Sequence, residues 1–299
     1  MTETFTSAKF PEVAQLTIEA AKWLQEQGIR IENTRIERYI TDMQRLARDF
    51  ENKALFRLSA EELSDYDDHM RESLFEASDL ITIYNGLQNN VTDGLREKLR
   101  SLVKGPVSFP KERSNSNQPR NIAFELMTAA YFEMSKMAPF FTGDADLSVT
   151  AEGTKVVVEC KRPQNYASIK PRMREALKQI DTRVTKSGEG TVGIAALDIT
   201  KTLNPDHRQI KFFRQADFDR ILGNICSDYF RRLHEEWKLH KHPNAIGVLM
   251  RVCGLGVSNE VSRYTYYQEF VFFGFTGQGK HHDKVLETLV KAFESSREG

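Results

Sequence analysis

The stretch Gly143-Asp-Ala-Asp-Leu-Ser-Val-Thr-Ala-Glu-Gly-Thr-Lys-Val-Val-Val-Glu-Cys-Lys-Arg-Pro163 decides the reading of this chain. Two alternating or β-branched runs flank Glu152-Gly153, and the glycine supplies the positive φ that a two-residue hairpin turn needs. That turn pairs Ala151 with Thr154. It then sets Asp146 opposite Glu159 and Asp144 opposite Lys161. Ala145, Leu147 and Val149 face Cys160, Val158 and Val156 on the other side, an apolar and therefore core-facing surface. Directly opposed residues have Cβ atoms roughly 4.5–5.5 Å apart. Two carboxylates that close repel, and a cation between them relieves the repulsion. The ordinary alternative is a charged, solvated sheet face with Lys161 paired to Asp144.

The pattern Asp146…Glu159-x-Lys161 resembles the core motif of the PD-(D/E)xK nuclease superfamily, whose fold is restriction-endonuclease-like. Ala145 stands where the superfamily's name has proline. The resemblance covers about residues 118–200. It extends to Glu125, within Asn121-Ile-Ala-Phe-Glu-Leu-Met-Thr-Ala-Ala-Tyr131, which matches a glutamate on the helix before the hairpin. It also extends to Gln179, which matches a glutamine on the helix after the triplet, with Arg183 where some branches carry tyrosine. The Asn121–Tyr131 helix is apolar nearly all round, so a glutamate in its middle must be paired, protonated or metal-bound.

The resemblance implies a Mg²⁺-dependent hydrolase of nucleic acid phosphodiesters, with Mn²⁺ able to substitute. It implies double-stranded DNA and endonucleolytic cutting, in a setting of restriction or phage defence. Asp146 and Glu159 would hold the ion, with the backbone carbonyl of Cys160 as a third ligand. Glu125 would bind a second ion or a ligating water. Lys161 would orient the attacking water, and Gln179 would contact water or phosphate. Hard oxygen donors of this kind suit Mg²⁺, which keeps several waters and takes one or two carboxylates. The competing expectation is a nuclease-fold protein that binds DNA or protein without cutting.

After the triplet, Ser168-Ile-Lys-Pro171 opens a helix whose buried stripe is Ile169, Met173, Ala176, Leu177, Ile180 and Val184. Arg162 precedes it, and Lys170, Arg172, Arg174, Lys178 and Arg183 occupy the rest of its surface. Together these form a candidate phosphate-contacting face. Residues 191–199 read as a buried strand, the crossover strand of the same fold. A helix over about 217–240, strands over 245–253 and 262–275, and a last helix over 281–296 complete the domain. The aromatic run Tyr264 to Phe275 reads as sheet core.

Upstream, residues 11–27, 32–53 and 60–88 carry apolar residues at helical spacing, with Ile36, Tyr39, Ile40, Met43 and Leu46 as one stripe. The expected organisation is an all-helical N-terminal domain over 1–104, serving recognition, dimerisation or regulation. A linker over 105–118 and an α/β nuclease-like domain over 119–299, with a mixed central sheet flanked by helices, follow. Lys104, Lys111 and Arg113 of the linker are candidate backbone contacts.

Forty-two basic residues balance forty-two acidic ones. Residues 1–100 carry 13 basic against 19 acidic side chains, and residues 101–220 carry 19 against 14. So modest a local excess points to salt-sensitive binding of a phosphate backbone. No apolar run of about 20 residues exists to cross a membrane. Cys160, Cys226 and Cys253 are scattered in apolar contexts, which fits a reducing cytoplasm. His240, His242, His281 and His282 lack the spacing of a zinc site. A homodimer or a protein partner is expected if both strands are cut.

Overall fold

A computed structural model describes residues 4–57, 59–106, 117–141, 143, 145–188, 190–205, 210–212, 242–258, 264–275 and 279–295, with 217, 220, 224 and 231. The expected linker, the 217–240 helix and the residues Lys111, Arg113, Asp144 and Cys226 lie wholly or mostly outside the described residues.

The chain is mixed α/β. Helices α1 (Phe10–Glu26), α2 (Arg35–Glu51), α3 (Ala60–Leu87) and α4 (Asp93–Leu102) precede the long buried helix α5 (Gln118–Met134). The hairpin β2 (Leu147–Ala151) and β3 (Thr154–Lys161) follows, then α6 (Tyr166–Ser187), β4 (Val192–Asp198) and the short helix α7 (Thr200–Leu203). Strands β5 (Ile210–Phe212), β6 (Ala245–Ser258) and β7 (Tyr264–Gly274) and helix α8 (Lys280–Ser295) end it.

One correction comes at the start of the chain. The N-terminal region is not all-helical, because Thr4–Ala8 forms a strand, β1, antiparallel to β7. The sheet order is β1-β7-β6-β4-β3-β2, with β5 beside β6. β3, β4, β5 and β6 run parallel, and β1–β7, β6–β7 and β2–β3 pair antiparallel.

The hairpin takes the expected register, with Ala151 opposite Thr154 and Leu147 opposite Val158. Its turn places Glu152 at φ 50° and Gly153 at φ 72°, both left-handed as a tight primed turn demands. β3 and β4 are covered on both faces, which is why Val156-Val157-Val158 and Val192–Leu197 are unbroken apolar runs. Leu147, Val149, Val156, Val158 and Cys160 face α5 in one core cluster. Val157 faces α6 with Ile169, Met173, Leu177 and Ile180. Ala145 departs from expectation: it packs with this second cluster, since the alternation breaks just before β2 begins.

Helix α6 starts earlier than its sequence cue. Asn165 caps it through the Ser168 amide, and Pro171 falls inside the second turn, where its missing N–H forgoes one helical bond. The expected stripe of six apolar residues is buried as read.

The N-terminal helices pack closely on the sheet domain. A Cβ on Gly86 of α3 would lie 2.6 Å from the Ala130 side chain of α5, and one on Gly94 of α4 would lie 2.7 Å from the Phe141 carbonyl. A single apolar cluster therefore runs through residues of α1 to α5 and into the sheet. Among the described residues, no helix is long and apolar enough to cross a membrane.

Candidate active site

Continuing the hairpin register one residue beyond Leu147 sets Asp146 across from Glu159, at the C-terminal end of β3. The Asp146 carboxylate accepts a hydrogen bond from the Cys160 backbone N–H at 2.7 Å. This contact substitutes for strand pairing and fixes the aspartate against the end of β3. The Lys161 ammonium stands 3.9 Å from Asp146 Oδ2 and 3.7 Å from Glu159 Oε2. It lies between the two carboxylates, beyond hydrogen-bond length from either.

Glu159 is 1% exposed, because α6 covers this face of the sheet. Arg183 of α6 donates to its other oxygen at 3.3 Å. Burial pushes the Glu159 carboxyl above its usual range and the Asp146 charge adds to the shift. Lys161 and Arg183 oppose it.

Glu125 enters from α5 on the opposite face of the sheet. Burial, followed by repulsion from Asp146, pushes its carboxyl up to about 7, against the attraction of Lys98. Lys98 of α4 contacts the Glu125 carboxylate directly. The sequence left open whether Glu125 is paired, protonated or metal-bound. Its partner is Lys98, while Arg120 binds Glu76 at 2.6 Å. Sequence reasoning missed Lys98. The available signal was Thr92 as a cap followed by Leu95, Leu99 and Leu102 at helical spacing, which marks a helix packed on the core.

Gln179 lies one turn before Arg183 on α6. Its Oε1 is buried without a hydrogen-bond partner among the described residues. A buried acceptor left open is uncommon and is satisfied at little cost by a water or a ligand donor. Cys160 brings its N–H to the site, while its thiol is buried, and burial pushes that thiol well above its ordinary range.

The basic face divides. Lys178 and Arg174 are exposed, Lys170 is half-buried, and Arg172 is held by Glu175 at 2.6 Å while remaining 46% exposed. Arg183 belongs to the carboxylate cluster. Arg162 is corrected: strand alternation turns it away from Lys161, its side chain is 7% exposed, and it pairs with Asp198 at 3.5 Å. It is a buried structural cation and offers no surface to a phosphate.

Among the described residues, no three His, Cys, Asp or Glu side chains converge tightly enough to cage a metal unaided. The donors nonetheless suit a hard ion that takes two carboxylates and fills its remaining positions with backbone and water oxygens, as Mg²⁺ does. One helical turn before Arg183, the open Gln179 acceptor has room for a donor such as a water. Comparison with protein-family models, curated proteins and solved structures finds no match to this chain.

Proposed function

We propose that the chain is a Mg²⁺-dependent nuclease of the restriction-endonuclease-like kind, cutting DNA endonucleolytically, with Mn²⁺ able to replace Mg²⁺. One observation carries the reading: Asp146, seated on the Cys160 amide, and buried Glu159 bracket the Lys161 ammonium at one strand end. A buried carboxylate with a raised affinity for protons, a nearby acid and a lysine held off by 3.7–3.9 Å form a poised group of charges.

Asp146 and Glu159 would hold the ion, helped by the Cys160 carbonyl. Bound there, Mg²⁺ supplies a Lewis acid for a phosphate oxygen and lowers the pKa of water. Lys161 donates to the attacking water and keeps its lone pair aimed at phosphorus. The new P–O bond forms opposite the leaving alkoxide, and the water's proton passes to solvent. Arg183 keeps Glu159 oriented, and Gln179 accepts from water beside it. Lys170, Arg172, Arg174 and Lys178 attract the backbone, weakly enough that binding falls with salt.

A second reading is a fold that binds without cutting. Lys98 and Arg183 already neutralise Glu125 and Glu159, as a retired centre would show. Incubation of supercoiled plasmid with the protein and millimolar Mg²⁺ separates the two. The nuclease reading expects nicked and linear product from the parent chain and none from Asp146→Ala at equal folded fraction. Shifted but uncut plasmid would support the binding module.

A further inference from the structure

Lys98 comes from the N-terminal helical region, yet its ammonium contacts a carboxylate of the candidate centre. We infer that Lys98 occupies, at Glu125, the position a second divalent ion would take, so that the centre binds one ion per chain. The inference rests on the nuclease reading above.

Three observations place the ammonium firmly. Helix α4 begins at a Thr92 cap and buries Leu95, Leu99 and Leu102, so its rotation is fixed with Lys98 at the edge of the buried stripe. Gly94 brings α4 close to Phe141, where any Cβ would collide with backbone. The Lys98 Nζ lies 5.6 Å from the centroid of the Phe141 ring, within cation–π range. Phe141 stands five residues before Asp146 in the chain, and the Lys98 side chain is only 19% exposed.

Two-metal centres hold their ions roughly 3.5–4 Å apart between shared carboxylates. A second ion on Glu125 would need the Glu125 carboxylate oxygen that Lys98 already contacts. An ammonium neutralises a carboxylate with three donors and no vacant coordination position. An incoming divalent ion would therefore meet a buried positive charge, and expelling it would cost the ion pair and the ring contact together. Lys161 on the Asp146 side adds a second like charge. Lys98 is here a positioning residue: it holds Glu125 and limits the ion count, and it does not touch the reacting phosphate.

Equilibrium binding of Mn²⁺, read as free ion by electron paramagnetic resonance, tests this on the full chain. The parent is expected to take one ion, Lys98→Arg one, and Lys98→Met two. Methionine keeps the length and the contact with Phe141 while removing the charge. Lys98→Gln, with melting followed by circular dichroism, stands in if the methionine variant does not fold. Two ions on the parent, or one on both uncharged variants, would overturn the assignment of Lys98 and leave the nuclease reading intact. No ion on any of the four would overturn both.

Discussion

Two clusters of opposite charges stand side by side at the ends of the parallel strands. One contains Glu125, Asp146 and Glu159 with Lys98, Lys161 and Arg183. The other contains Glu76, Asp79 and Asp198 with Arg120, Arg162 and Arg251. The first sets three acids against three bases and the second, with Arg35, three against four, and they are built differently. In the second, guanidinium forks meet the carboxylates at bonding distance: Arg251 reaches Asp79 at 2.5 Å, Asp198 at 3.1 Å and the Gln268 amide oxygen at 2.9 Å. Arg120 and Arg35 grip Glu76 at 2.6 and 2.8 Å. The cavity among them is about 30 Å³, room for a water or two.

In the first cluster the central cation is a lysine, a point charge on a flexible stem, standing away from both carboxylates. Arg251 and Arg162 hold Asp198 below the ordinary aspartate range despite its burial, while burial pushes Asp79 of the same cluster up, as it does Glu125 and Glu159. A closed set of forks fixes a fold. Around Lys161 the carboxylates keep their distance from the central cation, and the proposed site rests on that looser geometry, since buried charge is common to both clusters.

Substitutions should break this contrast in opposite ways. The largest effect is expected from Asp146→Ala, which should lower cleavage by roughly 100-fold or more, the scale of removing one preorganised electrostatic group. Its urea midpoint should stay near the parent's, because the Asp146 side chain is 26% exposed and its loss leaves no buried charge alone. Unchanged cleavage would move the centre elsewhere.

Next in size is Arg251→Met. It strands Asp79 and Asp198 without their shared cation and should cost about 3–5 kcal/mol of unfolding free energy in a urea titration. A loss below about 1 kcal/mol would mean that the network is dispensable.

A smaller effect is read in acid. Asp198 has a lowered folded-state pKa, so its contribution to stability is fully present above the ordinary value of 3.8 and is lost as pH falls through the lowered one. The stability advantage of the parent over Asp198→Asn should therefore shrink below about pH 4. An advantage that instead grows on acidification would contradict the pairing with Arg251 and Arg162.

The smallest effect concerns the thiols. Burial pushes Cys253 up to about 12 and Cys160 well above its ordinary range. Iodoacetamide at pH 8 should leave both unlabelled in the folded chain, as peptide mapping would show, and label them in urea. Labelling in the fold would mean that β3 or β6 opens locally.

The hairpin was legible because its turn, its alternation and its apolar face are local and agree with one another. Asp146 and Glu159 follow from that register alone. The stripe of α6 and the run of β4 were legible for the same reason. β1 was not: Thr4–Ala8 is a five-residue edge strand whose partner lies at the far end of the sequence, so pairing creates it where local pattern does not. The partner of Glu125 was equally hidden, since nothing in the spacing between Lys98 and Glu125 announces that α4 docks beside α5. Arg162 was legible and misread. Its adjacency to Lys161 made it look part of one basic face, although alternation along a strand points neighbours to opposite sides. Asp198 then stands beside it across the β3–β4 pairing, where Lys161 already lies opposite Leu197.

The most direct measurement compares the rate of Mg²⁺-dependent plasmid cleavage for Lys161→Ala and Asp79→Asn, each scaled to its folded fraction. Lys161→Ala should be folded and inactive, and Asp79→Asn less stable but as active per folded molecule as the parent. Cleavage that survives Lys161→Ala, or that vanishes in folded Asp79→Asn, would contradict the division of the two clusters into a chemical centre and a structural one.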